Sequence, residues 1–106
     1  MAQVQQLELP KPTRITADVA VKATAGTLYA IALEGGSDAS SLDFHDHASS
    51  ATGDAVIGIT APFTHATSSS QSTVMLDFTS LGGIKFNTGI FCNWTGTGAV
   101  GYAWFI

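Results

Sequence analysis

Hydrophobic residues recur with a period of two along most of this chain, and no window of 11 or more residues sustains the i, i+3, i+4, i+7 spacing of a helix. Successive side chains of a strand point to opposite faces, so the pattern demands sheets with one face covered. The signal is densest over residues 72–106. Val74, Leu76 and Phe78 alternate with Thr73, Met75 and Asp77, and Leu81-Gly82-Gly83 turns the chain. Ile84 and Phe86 resume the alternation and Asn87-Thr88-Gly89 turns it again, before the strands Ile90–Trp94 and Val100–Ile106. The last of these carries Tyr102, Trp104 and Phe105 with almost no polar side chain, so it is expected inside a sheet or an interface.

The same reading applied upstream predicts one strand from Arg14, with Ile15, Ala17, Val19 and Val21 on a common face, and a second over 27–34. Gly35-Gly36-Ser37-Asp38 breaks the run, Leu42 and Phe44 form a short strand, and 48–54 is a loop. A strand over 55–60 has Ile57 and Ile59 inward, and a Ser/Thr-rich link over 64–71 follows. About eight short strands punctuated by turns predict an all-β chain. The expected architecture is a single antiparallel β-sandwich, jelly-roll-like, over residues 14–106, preceded by an extended N-terminal arm over 1–13.

The arm is expected to dock on a neighbouring chain. Val4, Leu7 and Leu9 are its apolar anchors, Pro10-Lys11-Pro12 keeps it extended, and Lys11 and Arg14 give it a basic end. Charge supports that division. Residues 1–22 hold Lys11, Arg14 and Lys22 against Glu8 and Asp18, whereas beyond them Lys85 stands alone against Glu34, Asp38, Asp43, Asp46, Asp54 and Asp77. A formal net charge of −4 without clustered Lys or Arg argues against nucleic acid as a partner. Charged residues make up only 11% of the chain, well under the roughly 25% usual for soluble domains. Such a surface suits contact with other proteins.

Cys92 is the single cysteine, so an internal disulfide is excluded and a buried, inert thiol is expected. The N-terminus shows no apolar signal-peptide core, and no apolar run approaches the length that spans a bilayer, so synthesis in a cytoplasm without a membrane partner is expected.

Asp43, His45 and His47 recur at intervals of two, which on one strand face would bring three metal-ligating groups together, with His65 as a further donor. Equally, they are the solvated face of a strand whose buried face is Leu42 and Phe44. Trp94, Tyr102 and Trp104 are candidate ligand or interface aromatics, either stacking on a sugar or filling a core or subunit contact. No Gly-x-Ser-x-Gly elbow occurs, and Gly35-Gly36 and Gly82-Gly83 lack the strand-to-helix setting of a phosphate loop. The chain is read as a non-enzyme that needs no cofactor.

Several segments together resemble a known group. Val21-Lys22-Ala23-Thr24-Ala25-Gly26-Thr27-Leu28-Tyr29, Leu42-Asp43-Phe44-His45-Asp46, Leu76-Asp77-Phe78 and the hairpin-like Gly83-Ile84-Lys85-Phe86-Asn87-Thr88-Gly89-Ile90 occur in this order before the aromatic strand. From about Val19 to Ile106 the chain resembles the small β-sandwich structural proteins of tailed bacteriophages. The resemblance implies a virion component on the capsid exterior: a capsid cement or decoration protein, or a subunit of a head or tail fibre. Implied partners are the major capsid protein and neighbouring copies of the chain, in a dimer or trimer. A carbohydrate-binding sandwich module is the alternative.

Overall fold

The computed structural model describes residues 11–61 and 73–106, and strand-forming residues and glycine turns divide these described residues into nine strands. In order they are β1 (Thr13–Ile15), β2 (Val19–Lys22), β3 (Gly26–Glu34), β4 (Ser40–Asp46), β5 (Ile57–Ala61), β6 (Thr73–Asp77), β7 (Ile84–Phe86), β8 (Ile90–Thr95) and β9 (Val100–Phe105). A 3₁₀ turn over Thr79–Leu81 precedes β7.

The strands form two sheets with every pairing antiparallel. One runs β1-β9-β3-β6, with β7 also on β3; the other runs β2-β8-β4-β5. β3 is long enough to hold β9 along one side and both β6 and β7, end to end, along the other. The all-β sandwich expected from periodicity is the observed fold. Between the sheets lie Ile15, Leu28, Ile31, Leu33, Leu42, Phe44, Ile59, Phe86, Ile90 and Cys92, all buried. Each large aliphatic or aromatic side chain so enclosed contributes about 1.5–3 kcal/mol. This core has to hold without a disulfide.

Three boundaries differ from the expectation. The strand anticipated from Arg14 onward is two strands in different sheets, because the chain bends over 16–18 and crosses the sandwich edge. Asp18 fixes that bend: its Oδ1 accepts from the backbone N–H of Trp94 on β8 at 2.8 Å. The hairpin anticipated around Asn87-Thr88-Gly89 is also a crossing, since β7 pairs with β3 while β8 pairs with β2 and β4. Third, Thr13 already belongs to β1, so the sheet takes in the last residue expected of the arm. Period-two alternation reports which side a residue faces, and a chain crossing between sheets keeps that parity.

At the turn after β6, Gly82 and Gly83 have φ of 81° and 84°, a left-handed conformation that glycine adopts without steric penalty. The final residues do lie in a sheet. Beyond β9, Ile106 exchanges two 3.0 Å backbone hydrogen bonds with Thr27.

Candidate functional site

The outer face of the five-stranded sheet follows from register and parity. On β9, Ala103 is buried in the core and a Cβ on Gly101 would meet the Leu42 side chain, so Tyr102 and Trp104 point outward. Their rings lie 6.5 Å apart and tilted by 41°. Arg14 pairs with Tyr102, Tyr102 with Ala32, and Ala32 with Met75, which gives one continuous row across four strands. Beside it Trp104 pairs with Ala30, and Ala30 with Asp77. Ala30 and Ala32 are buried yet stand apart from the core cluster. Met75 is 55% exposed. An aromatic and apolar strip therefore runs across the sheet, with exposed Arg14 at one rim and Asp77 at the other.

Trp94 is not part of that strip. It pairs with Leu42, packs against the core, and donates its indole N–H to the Ala99 carbonyl at 3.2 Å. The three candidate aromatics thus divide between one structural residue and two outward-facing ones. The 41° tilt makes Tyr102 and Trp104 a ridge whose two rings do not share one plane.

Asp43, His45 and His47 do not assemble as expected. Among the described residues no group of three or more His, Cys, Asp or Glu is arranged to hold a metal. The physical reason lies at the end of β4. His47 N–H donates to the His45 carbonyl at 2.9 Å, a three-residue turn about Asp46 that takes His47 out of the strand alternation. His47 Nδ1 then accepts from the backbone N–H groups of Ser49 and Ser50, at 3.1 and 3.0 Å, and organises the following loop. His45 is 7% exposed, paired with Phe91, and its Nδ1 has no hydrogen-bond partner. Asp43 lies over Gly58, where any Cβ would strike its carboxylate. His65 lies outside the described residues.

Asp46 has a role that sequence reasoning missed. Its carboxylate accepts from the backbone N–H groups of Asn87, Thr88 and Gly89 at 3.1, 2.7 and 3.4 Å. The bonds from Thr88 and Asn87, in that order, hold its pKa below the ordinary 3.8. Asp77 is likewise lowered, by the Thr79 hydroxyl and then the Thr79 N–H, so it is tied to the first residue of the 3₁₀ turn as well as edging the aromatic strip. Cys92 matches the expected inert thiol: burial, followed by the charges of Asp18 and Asp43, pushes it up to about 12.

Of the arm residues, Lys11 and Arg14 are described and exposed, Lys11 just before β1 and Arg14 within it. Val4, Leu7 and Leu9 lie outside the described residues. A depression of about 400 Å³ is lined by Ala39, Ser40, Ser41, Thr60, Ala61 and Thr95, a lining with no titratable side chain. No helix among the described residues is long and apolar enough to cross a membrane.

The fold and these sites define a two-sheet antiparallel sandwich with an outward aromatic strip. No family model matches the chain, and searches of curated proteins and of solved structures return no match either.

Proposed function

We propose that this chain is a non-enzymatic structural protein of a bacteriophage virion. In this reading it is a decoration protein that sits over junctions between major capsid protein subunits and stabilises the shell from outside. The observation that supports this most is where the N-terminal segment joins the sandwich. Among the described residues β1 is an edge strand, hydrogen-bonded to β9, and Lys11 and Pro12 lead into it.

The segment bearing Val4, Leu7 and Leu9 is joined to the sandwich through this edge strand, so in this reading its docking on a neighbour requires no core strand to move. Lys11 and Arg14 supply the basic charge at its root, which steers it toward acidic surface. The low charge density of the remaining surface reduces the desolvation cost of broad contact. Many copies on one particle turn modest contacts into durable attachment.

Removal of residues 1–12 tests this, because it spares every strand found among the described residues. Cosedimentation with purified particles is expected to fall to background while the circular dichroism spectrum and melting temperature hold. Equal binding by the shortened protein would remove the arm from the mechanism.

A further inference from the structure

The outward strip of the five-stranded sheet carries an inference that goes beyond the virion reading and does not rest on it. We infer that this face is a self-association surface, on which a second copy of the chain packs sheet to sheet about a two-fold axis parallel to the strands.

Two rows of side chains cross the face in a fixed order. From β1 to β6 the first reads Arg14, Tyr102, Ala32, Met75, and the second reads Trp104, Ala30, Asp77 from β9 onward. Over these two rows the centre is aromatic and aliphatic, the β1 rim is cationic and the β6 rim is anionic, while the next row along carries Glu34 between Val100 and Thr73. A two-fold axis along the strands, placed between β9 and β3, lays β9 of one copy over β3 of the other and β1 over β6. Tyr102 then faces Ala32 of the second copy and Trp104 faces its Ala30. Ala30 and Ala32 are already buried within each copy, so the contact is made between the two Tyr102–Trp104 ridges, which lie side by side on opposite sides of the axis with the sheets about 10 Å apart.

The same operation brings Arg14 over Met75 of the second copy. Asp77 of that copy lies one row further along the strand, about 7 Å away and within reach of an arginine side chain. Because the interface is isologous, the Arg14 to Asp77 contact occurs twice. The other face-to-face arrangement, with the axis across the strands, would bring β1 against β1 and Arg14 toward Arg14. Like-charge apposition disfavours it.

The size of the face sets the strength. The four strands β1, β9, β3 and β6 present 3, 6, 9 and 5 residues at about 3.3 Å each and lie about 4.8 Å apart, a face of roughly 360 Å² per copy. Specific interfaces usually bury about 800 Å² per partner, so this dimer is weak and reversible, with Kd on the order of 100 μM.

Sedimentation velocity on the full 106-residue chain, from about 1 μM to about 1 mM, tests the inference. The wild type is expected to pass from monomer to dimer across that range. Arg14→Glu sets a carboxylate beside Asp77 of the second copy, and Met75→Arg sets a cation beside its Arg14. Each is expected to raise Kd by about tenfold or more, the equivalent of one buried or opposed charge. Together they recreate an opposite-charge pair and are expected to recover most of the loss. Both positions are exposed, so the fold is expected to survive, as circular dichroism would show.

A wild type that stays monomeric throughout overturns the inference. So does a dimer indifferent to both single changes, or a double variant no better than either single. Tryptophan emission on dilution of the unmodified protein reads the same equilibrium: a red shift is expected as Trp104 returns to water, and constant emission counts against the interface. Particle binding is measured separately, so failure of the decoration reading leaves this result interpretable.

Discussion

The Asp46 carboxylate accepts a 2.7 Å hydrogen bond from the backbone N–H of Thr88, 42 residues further along the chain. Asp46 ends β4 in one sheet, and Thr88 lies in the turn by which the chain leaves β7 in the other. The bond therefore clips a crossing connection to the end of a central strand. Asn87 and Gly89 donate to the same carboxylate, so three turn amides without strand partners share one anion.

Acid is expected to loosen this clip. Asp46 and Asp77 both titrate below 3.8 in the fold, so the unfolded chain takes up protons first as pH falls. Their stabilisation is complete above the unfolded value and disappears as pH drops through the lower folded values. Asp46→Asn is expected to lower the melting temperature by a few degrees at pH 7 and to converge with the wild type in strong acid. Thermal melts from about pH 7 to about pH 2 check this, and a gap that stays constant would show that the charge is irrelevant.

Gly89 is expected to tolerate no side chain. A Cβ there would lie 2.7 Å from Ala48 Cα and 2.8 Å from the His47 carbonyl oxygen, both backbone atoms that cannot swing aside. Gly89→Ala is expected to cost about 1–3 kcal/mol in a denaturant titration, the usual penalty of overpacking. Gly53→Ala provides a contrast, since nothing lies within 4 Å of that position and its cost arises from φ alone.

Cys92 is expected to resist alkylation. With its pKa pushed up to about 12, the thiolate fraction at pH 8 is on the order of one in ten thousand, and burial blocks the reagent as well. Iodoacetamide is expected to leave the native protein unmodified and to label it fully in denaturant. Rapid native labelling would mean that the β4–β8 region opens readily.

The aromatics that looked alike in sequence are expected to separate by experiment. Trp94→Phe loses the hydrogen bond to the Ala99 carbonyl and is expected to cost about 1 kcal/mol, or about 4–8 °C for a domain of this size. Trp104→Phe lies outside the core and is expected to move the melting temperature far less. Equal losses at the two positions would contradict the division between them.

Much of this was readable from residue order. The strands of the last third, the turn glycines at 82 and 83 and the buried face of Ile57 and Ile59 all follow from parity and turn chemistry. Met75 was a further signal, an apolar residue among Thr73 and Asp77 on the outward face of β6. The sheet crossings at 16–18 and 87–89 were hidden, because alternation carries no information about which sheet a strand joins. The Asp46 clip was hidden because its partners are backbone amides, which every residue type supplies. His47 left the metal-like spacing through a turn at Asp46 that no side-chain pattern announces.

The claim on which the functional account depends is that this chain belongs to a particle, and its most direct test is quantitative mass spectrometry of purified virions from the source. The account predicts a copy number close to that of the major shell protein, or a simple fraction of it such as a third. A handful of copies per particle would move the chain from the shell to a fibre, and its complete absence from the virion would contradict the account.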